Sequence, residues 1–371
     1  MSFPPVRLVL LAALCGQPML GHTQILIGQT AGFTGTVAAG VKETSDGARL
    51  VFDQVNARGG INGEKIALVQ MDDKFDAKLA AENARTLIVD KKVLALFLTR
   101  GTPTTQAVLP LLAEHKLPLI GPSTGAMAFH NPVNPWVFNV RATYQREVER
   151  AIQHLQETGV DRIGLVQQDD SFGADLFEGA KRGLAARKLN AVFVEKYDRS
   201  KWDFRQIAPL TTRTGVQAVL FMGSGQSVAD GVAAIRAAGS GAQIITFSNN
   251  ASGGFIKSLG PHARGIVVMQ VFPYERSLAA PIVQEARILA QAKGLPGVSP
   301  AMLEGFAAAK VLVAGLRKAG ANPTRVKLQQ ALDSLSKLDI GGIEVSFSPT
   351  DHSGLDFVDL SIIDANGRFV R

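Results

Sequence analysis

One cysteine, Cys15, is all that 371 residues provide. A disulfide framework needs paired cysteines and a cysteine-rich zinc site needs clustered ones, so both are excluded. The six histidines lie far apart and no HExxH occurs, so no metal is expected. No period runs through the 37 glycines or 17 prolines, which excludes collagen-like and low-complexity repeats. Runs of Lys and Arg interleaved with aromatics are also missing. The 39 basic side chains, against 32 acidic, are scattered singly or in short pairs such as Lys91-Lys92. The formal charge of +7 therefore describes a solvated surface, and no nucleic-acid partner is expected.

What is present is a chain that is 46% hydrophobic, too apolar for disorder and long enough for two globular units with their own cores. The only long apolar stretch is Leu8–Leu14, preceded by Arg7. It is too short to span a bilayer and suits the apolar region of a secretory signal, so residues 1–23 are read as a signal peptide and the remainder as exported and soluble. Leu-Ala-Ala-Leu-Cys ending at Cys15 resembles a bacterial lipobox, but Leu14 stands where a small residue is normally required.

From residue 24 onward, short apolar runs alternate with amphipathic stretches. Strands are expected at Ile25–Thr30, Ile66–Met71, Val93–Leu98, Leu117–Ile120 and, in extended form, Pro135–Val140. A second series covers Arg162–Gln167, Ala191–Tyr197, Ala218–Met222, Gln243–Phe247 and Gly265–Val271, and two terminal strands cover Ile343–Phe347 and Phe357–Ile363. Helices fall between them, among them one beginning at Pro103, one over Tyr144–Thr158 and one over Leu303–Leu316. Continuous apolar strands separated by such helices predict an α/β fold with two doubly wound parallel sheets. In that architecture ligands bind beyond the carboxyl ends of strands, which directs attention to the loops after Leu98, Ile120, Gln167, Met222 and Phe247.

Arg100-Gly101-Thr102-Pro103-Thr104-Thr105 holds the strongest signal. Pro103 suits the first helical position, which makes Thr102 the N-cap and leaves the amides of Thr104 and Thr105 free. The helix end then favours a carboxylate, and Gly101 lets a ligand approach the backbone. An ordinary self-capped helix fits the same residues. Gly121-Pro122-Ser123-Thr124-Gly125 matches the G-x-S-x-G pattern of hydrolases, with His262 and His352 downstream, but Asn131-Pro132 and Asn134-Pro135 interrupt the helix that should follow. Gly223-Ser224-Gly225 opens like a dinucleotide fingerprint but has Val228 in place of the third glycine, and no cofactor is expected. Phe33 and Phe172 stand at strand-to-helix junctions, where an aromatic either covers a ligand or staples a helix end.

In order along the chain, Thr30-Ala31-Gly32, Asn56 through Gly63, Asp72-Asp73, Pro118 through Ala126 and Asp170-Ser171-Phe172-Gly173 resemble the leucine/isoleucine/valine-binding family of periplasmic solute-binding proteins. The resemblance implies the type I periplasmic binding protein fold: lobe 1 from 24–141 and 272–345, lobe 2 from 142–271 and 346–371, joined by three crossovers. It also implies a non-enzymatic, monomeric periplasmic receptor that delivers a small molecule to an ABC permease in the inner membrane. By position, Gly101 and Thr102 fall in the loop that meets a ligand carboxylate, assisted by Ser123, Thr124 and Gly125. Phe33 and Phe172 match covering positions, and Ser224, Ser248 and Asn249 fall in second-lobe loops. Amino-acid binders place an acid near Ser248 for the ligand ammonium. Its absence means that Asp170 or Glu275 substitutes, or that the ligand is an organic or aromatic acid. A ligand sensor of the same fold and a serine hydrolase using Ser123 are the alternatives.

Overall fold

A computed structural model describes residues 24–371, so the signal segment and Cys15 lie outside the described residues. The first sheet is built from β1 (Gln24–Ala31), α1 (Ala38–Ala57), β2 (Lys65–Asp72), α2 (Ala77–Val89), β3 (Ala95–Phe97), α3 (Thr102–His115), β4 (Leu119–Ile120) and β5 (Val137–Phe138). Its five strands run in the order β2-β1-β3-β4-β5, all parallel. The second series follows as α4 (Tyr144–Glu157), β6 (Ile163–Gln168), α5 (Ser171–Ala186), β7 (Phe193–Tyr197), α6 (Ala208–Arg213), β8 (Ala218–Met222), α7 (Gln226–Ala237), β9 (Gln243–Thr246), α8 (Gly253–Leu259) and β10 (Val267–Gln270). The chain then returns to the first sheet with α9 (Pro281–Ala292), α10 (Pro300–Ala319), α11 (Arg325–Asp333) and the ribbon β11 (Leu338–Asp339) and β12 (Glu344–Val345). It ends with β13 (Asp359–Ile363) and β14 (Phe369–Val370) on the second sheet.

Apolar spacing explains the helices. On α1, Val41, Thr44, Ala48, Val51 and Val55 recur every three or four residues and are buried, and the helix packs against α10. The two helices touch backbone to backbone. A Cβ on Gly47 would stand 1.9 Å from the carbonyl oxygen of Met302, and one on Gly305 1.8 Å from that of Thr44. This close approach fixes the middle of α1 against α10. One apolar cluster runs without a break from Leu111 and Leu119 through Ala126 and Tyr144 to Phe172 and Leu220, joining the two sheets' cores.

The α/β reading with mainly parallel sheets holds, with three corrections. The expected strands Val93–Leu98, Leu117–Ile120 and Pro135–Val140 shorten to β3, β4 and β5; at the first of these Leu98 takes a left-handed φ of 49° and turns the chain out of the sheet. Ile343–Phe347 is not a closing strand of either sheet. Its central pair forms β12 and folds back on β11 around Asp339, whose carboxylate accepts the amides of Gly341 and Gly342. Phe357–Ile363 becomes β13, antiparallel to β10, and β14 extends that edge, so the second sheet is mixed at one side.

Candidate functional site

Beyond the carboxyl end of β3 the chain passes through Leu98 into Thr99, Arg100 and Gly101, and a parallel bridge joins Arg100 to Ser123 after β4. Gly101, at φ 90°, is the N-cap of α3, and a side chain there would strike the ring of Phe75 at 2.4 Å. This corrects the expectation that Thr102 caps the helix. Pro103 occupies the second helical position, where its missing N–H costs nothing either, and Thr102 moves inside. No side chain caps the end. The amide of Thr105 is paired with the Gly101 carbonyl, whereas those of Thr102 and Thr104 have no acceptor among the described residues. The Thr102 hydroxyl bonds that of Thr124 at 2.8 Å.

The second sheet supplies the opposing wall. Gln168 ends β6, and Phe172 lies in the first turn of α5, which is capped by the Asp170 carboxylate accepting the amides of Phe172 and Gly173. The Phe172 ring stands edge-on to Tyr144 at 5.0 Å. Asn249, in a short turn after β9, donates to the Gly223 carbonyl and to the Ser224 hydroxyl, while its own Oδ1, though buried, has no partner among the described residues.

The walls meet at Arg100. Its guanidinium donates to the Ser123 hydroxyl at 2.9 Å and, across the gap, to the Asn249 carbonyl at 2.5 Å. Arg100 is only 6% exposed, and among the described residues no carboxylate lies within ion-pair distance of it. Phe75, Gly101, Thr102, Phe172, Ser224 and Asn249 surround it in an inner cavity of about 10 Å³, the space of one water molecule. Arg100 and Asn249 also line an outer chamber of about 360 Å³. Among the described residues no acidic side chain lines either space.

The remaining expected positions divide. Thr124 faces Thr102 and is fully buried. Gly125 is turned to the crossover, its carbonyl accepting the Tyr144 amide at 2.7 Å. Phe33 packs with Val37, Val41 and Phe75 outside both cavities. Ser248 is taken by a buried ion network: its amide and hydroxyl donate to Glu147, and Arg141 bonds both Glu147 and the Ser248 hydroxyl. Glu304 of α10 lies 3.6 Å from Arg141. Burial works against the Arg141 charge, but Tyr144, Glu304 and Glu147 more than offset it and hold the guanidinium protonated. Neither candidate substitute acid reaches the cavities. Asp170 is occupied by α5, Gln168 and Arg199, and Glu275 lines a separate groove with Ile256 and Arg276. Ser123 has Arg100 as its partner, and His352 is bonded to Asp333 and the Val137 carbonyl, so no Ser-His pair forms between them.

The sequence pattern does not single out Arg100, Phe75, Tyr144 or Gln168, which the structure places at the inner cavity. An arginine directly after a buried apolar strand was the available signal. Phe75 and Tyr144 carry none, because their roles arise from contacts across the gap. Arg199, after β7, stacks on the Phe75 ring at 3.8 Å, donates to the Phe75 carbonyl and approaches Asp170 at 3.5 Å, tying the two sides together. Beside it, burial pushes the Asp73 carboxyl up to about 6, against the bonds it accepts from the Phe75 amide and the Thr30 hydroxyl.

Comparison with known proteins agrees with this architecture. The family described as periplasmic binding protein matches residues 24–364. The Leu/Ile/Val-binding protein BraC3 of Rhizobium johnstonii is 27% identical over 57% of this chain and 57% of its own length. A Leu/Ile/Val-binding protein homolog of Brucella melitensis is 22% identical over 92% of both chains. Among solved structures, a substrate-binding periplasmic protein from Ralstonia solanacearum is 32% identical, with a TM-score of 0.86 over 94% of this chain and 99% of that one. The chain belongs to the periplasmic binding protein family.

Proposed function

We propose that this member of the periplasmic binding protein family captures a carboxylate-bearing organic or aromatic acid between two jaws and delivers it to an ABC permease of the inner membrane. The jaws are residues 24–141 with 272–345, and residues 142–271 with 346–371, and the receptor acts as a periplasmic monomer without catalysis. The observation that carries this reading is Arg100, buried in the cleft with hydroxyl and carbonyl partners but no acid. A buried cation without a counter-charge is costly, and a carboxylate relieves that cost with paired, planar hydrogen bonds that suit a guanidinium. Thr102 and Thr104 add free helix amides beside it, and the Thr102 and Ser123 hydroxyls complete the head-group site.

The relatives are named for leucine, isoleucine and valine. A zwitterionic amino acid brings an ammonium as well, and neither cavity offers it a carboxylate. Phe172 and Tyr144 cover the bound acid, and closure excludes water. Such contacts support a dissociation constant near micromolar, about −8 kcal/mol. Thermal-shift screening of aliphatic and aromatic monocarboxylates tests the reading: at least one class raises the melting temperature of the parent protein and not of Arg100→Gln. Equal stabilisation of both proteins by the same acids would refute the role of Arg100.

A further inference from the structure

Two Asn-Gly pairs occur in the chain, Asn62-Gly63 and Asn366-Gly367, and each stands in a turn with its asparagine exposed. The pair carries a chemistry of its own. Glycine has no Cβ, so its backbone nitrogen can reach the carboxamide carbon of the asparagine before it. Whether that nitrogen is free to do so depends on the fold, and the two turns differ there.

Asn62 and Gly63 form the two-residue loop between Ile61 and Glu64, which pair with each other through bonds of 2.8 and 2.9 Å. Their φ angles of 51° and 86° are both left-handed, as so tight a hairpin turn requires. Among the described residues the Gly63 amide has no acceptor. A Cβ built on Gly63 meets nothing within 4 Å, so the site is open. Asn366-Gly367 instead joins β13 to β14. There the Gly367 amide donates to the Asp364 carbonyl at 3.1 Å, and the Asp364 carboxylate accepts the amides of Asn366 and Arg368. A Cβ on Gly367 would touch Ile256 of α8 at 3.4 Å. The second nitrogen is engaged and packed, and the first is neither.

We infer that Asn62 is a site of spontaneous deamidation and that the fold protects Asn366 from the same reaction. The Gly63 nitrogen gives its proton to hydroxide and bonds to Cγ of Asn62. The bond from Cγ to Nδ2 breaks, and the amino group takes a proton from water and leaves as ammonia. Water then opens the resulting succinimide at either carbonyl, giving aspartate or isoaspartate. Isoaspartate adds one carbon to the main chain of a loop whose length sets the Ile61–Glu64 pairing, and Ile61 is buried in the first core. The turn precedes β2, at the opposite end of the parallel sheet from the cavities beyond β3, so the inference is independent of what the cleft binds.

Peptide mass spectrometry of the intact protein aged in mildly alkaline buffer tests this. Trypsin releases residues 59–65 and 338–368, and each fragment holds a single asparagine and no glutamine. In the folded protein the exchange of amide for acid in 59–65 outruns that in 338–368 by about tenfold or more, the cost of first opening a hydrogen-bonded amide. The product separates into aspartate and isoaspartate forms on reversed-phase chromatography. In guanidinium chloride the two rates converge to within about threefold. Equal rates in the folded protein, or a slower rate in 59–65, would overturn the inference. A gap that persists undiminished in denaturant would assign it to flanking sequence and overturn protection by the fold.

Discussion

Arg100 and Arg141 are buried arginines that reach across the same interface to neighbouring residues of one turn, Arg100 to the Asn249 carbonyl and Arg141 to the Ser248 hydroxyl. They differ in company. Arg141 has Glu147 from the second side and Glu304 from the first, which makes it part of the structure. Among the described residues Arg100 has no acid within ion-pair distance, and its partners are a hydroxyl and a carbonyl. The difference teaches how to separate two kinds of buried cation: one paired with acids belongs to the packing, and one without an acid, such as Arg100, is the cation the proposed function uses.

The largest effect that tests this contrast is Arg141→Ala. It strands Glu147 and Glu304 without their cation and lowers unfolding free energy by about 3–5 kcal/mol, read by urea denaturation. A loss under about 1 kcal/mol would remove Arg141 from its structural role. Arg100→Gln has the opposite profile. Binding of a monocarboxylate falls by about 100-fold, the worth of charged hydrogen bonds, while stability of the empty protein stays level or rises slightly. A large destabilisation without ligand would make Arg100 a second Arg141.

Smaller effects refine the closure between the two sides. Arg199→Ala removes the stack on Phe75 and the bond to its carbonyl, and weakens acid binding by about tenfold without touching the head-group site. Small-angle scattering of the variant reports a larger radius of gyration at ligand concentrations that close the parent. Asp73→Asn acts through pH. Because burial raises Asp73 to about 6, the folded protein keeps a proton that the unfolded chain releases near pH 4. Its contribution to stability is complete below about pH 4 and declines as pH rises to about 6. Asparagine abolishes that decline and gains on the order of 1 kcal/mol at pH 7, measured by denaturation between pH 4 and 7.

Much of this was legible in the sequence because it depends on neighbours along the chain. The alternation of apolar runs and amphipathic stretches gave the strands and helices around both cavities, and Gly101-Thr102-Pro103 announced a helix end beyond a strand. The cap itself was misplaced by one residue because proline is tolerated at either of the first two helical positions. Ser248 was expected to face a ligand and instead binds Glu147, a residue 101 positions away. No local pattern encodes that pairing, nor the meeting of Phe75 with Arg199 or of Arg100 with Asn249. Ile343–Phe347 was read as a closing strand for the same reason: a short extended run with a glycine turn before it does not say which partner it will fold against.

The contrast between the two arginines is tested most directly by titrating hexanoate and 2-aminohexanoate (norleucine) into the parent protein by calorimetry. The two ligands share a carboxylate and a four-carbon chain beyond Cα, and differ in the α-ammonium alone. An unpaired Arg100 with no acid on either cavity wall predicts hexanoate binding near micromolar and norleucine at least 100-fold weaker. Norleucine binding as tightly as hexanoate, or more tightly, would contradict it.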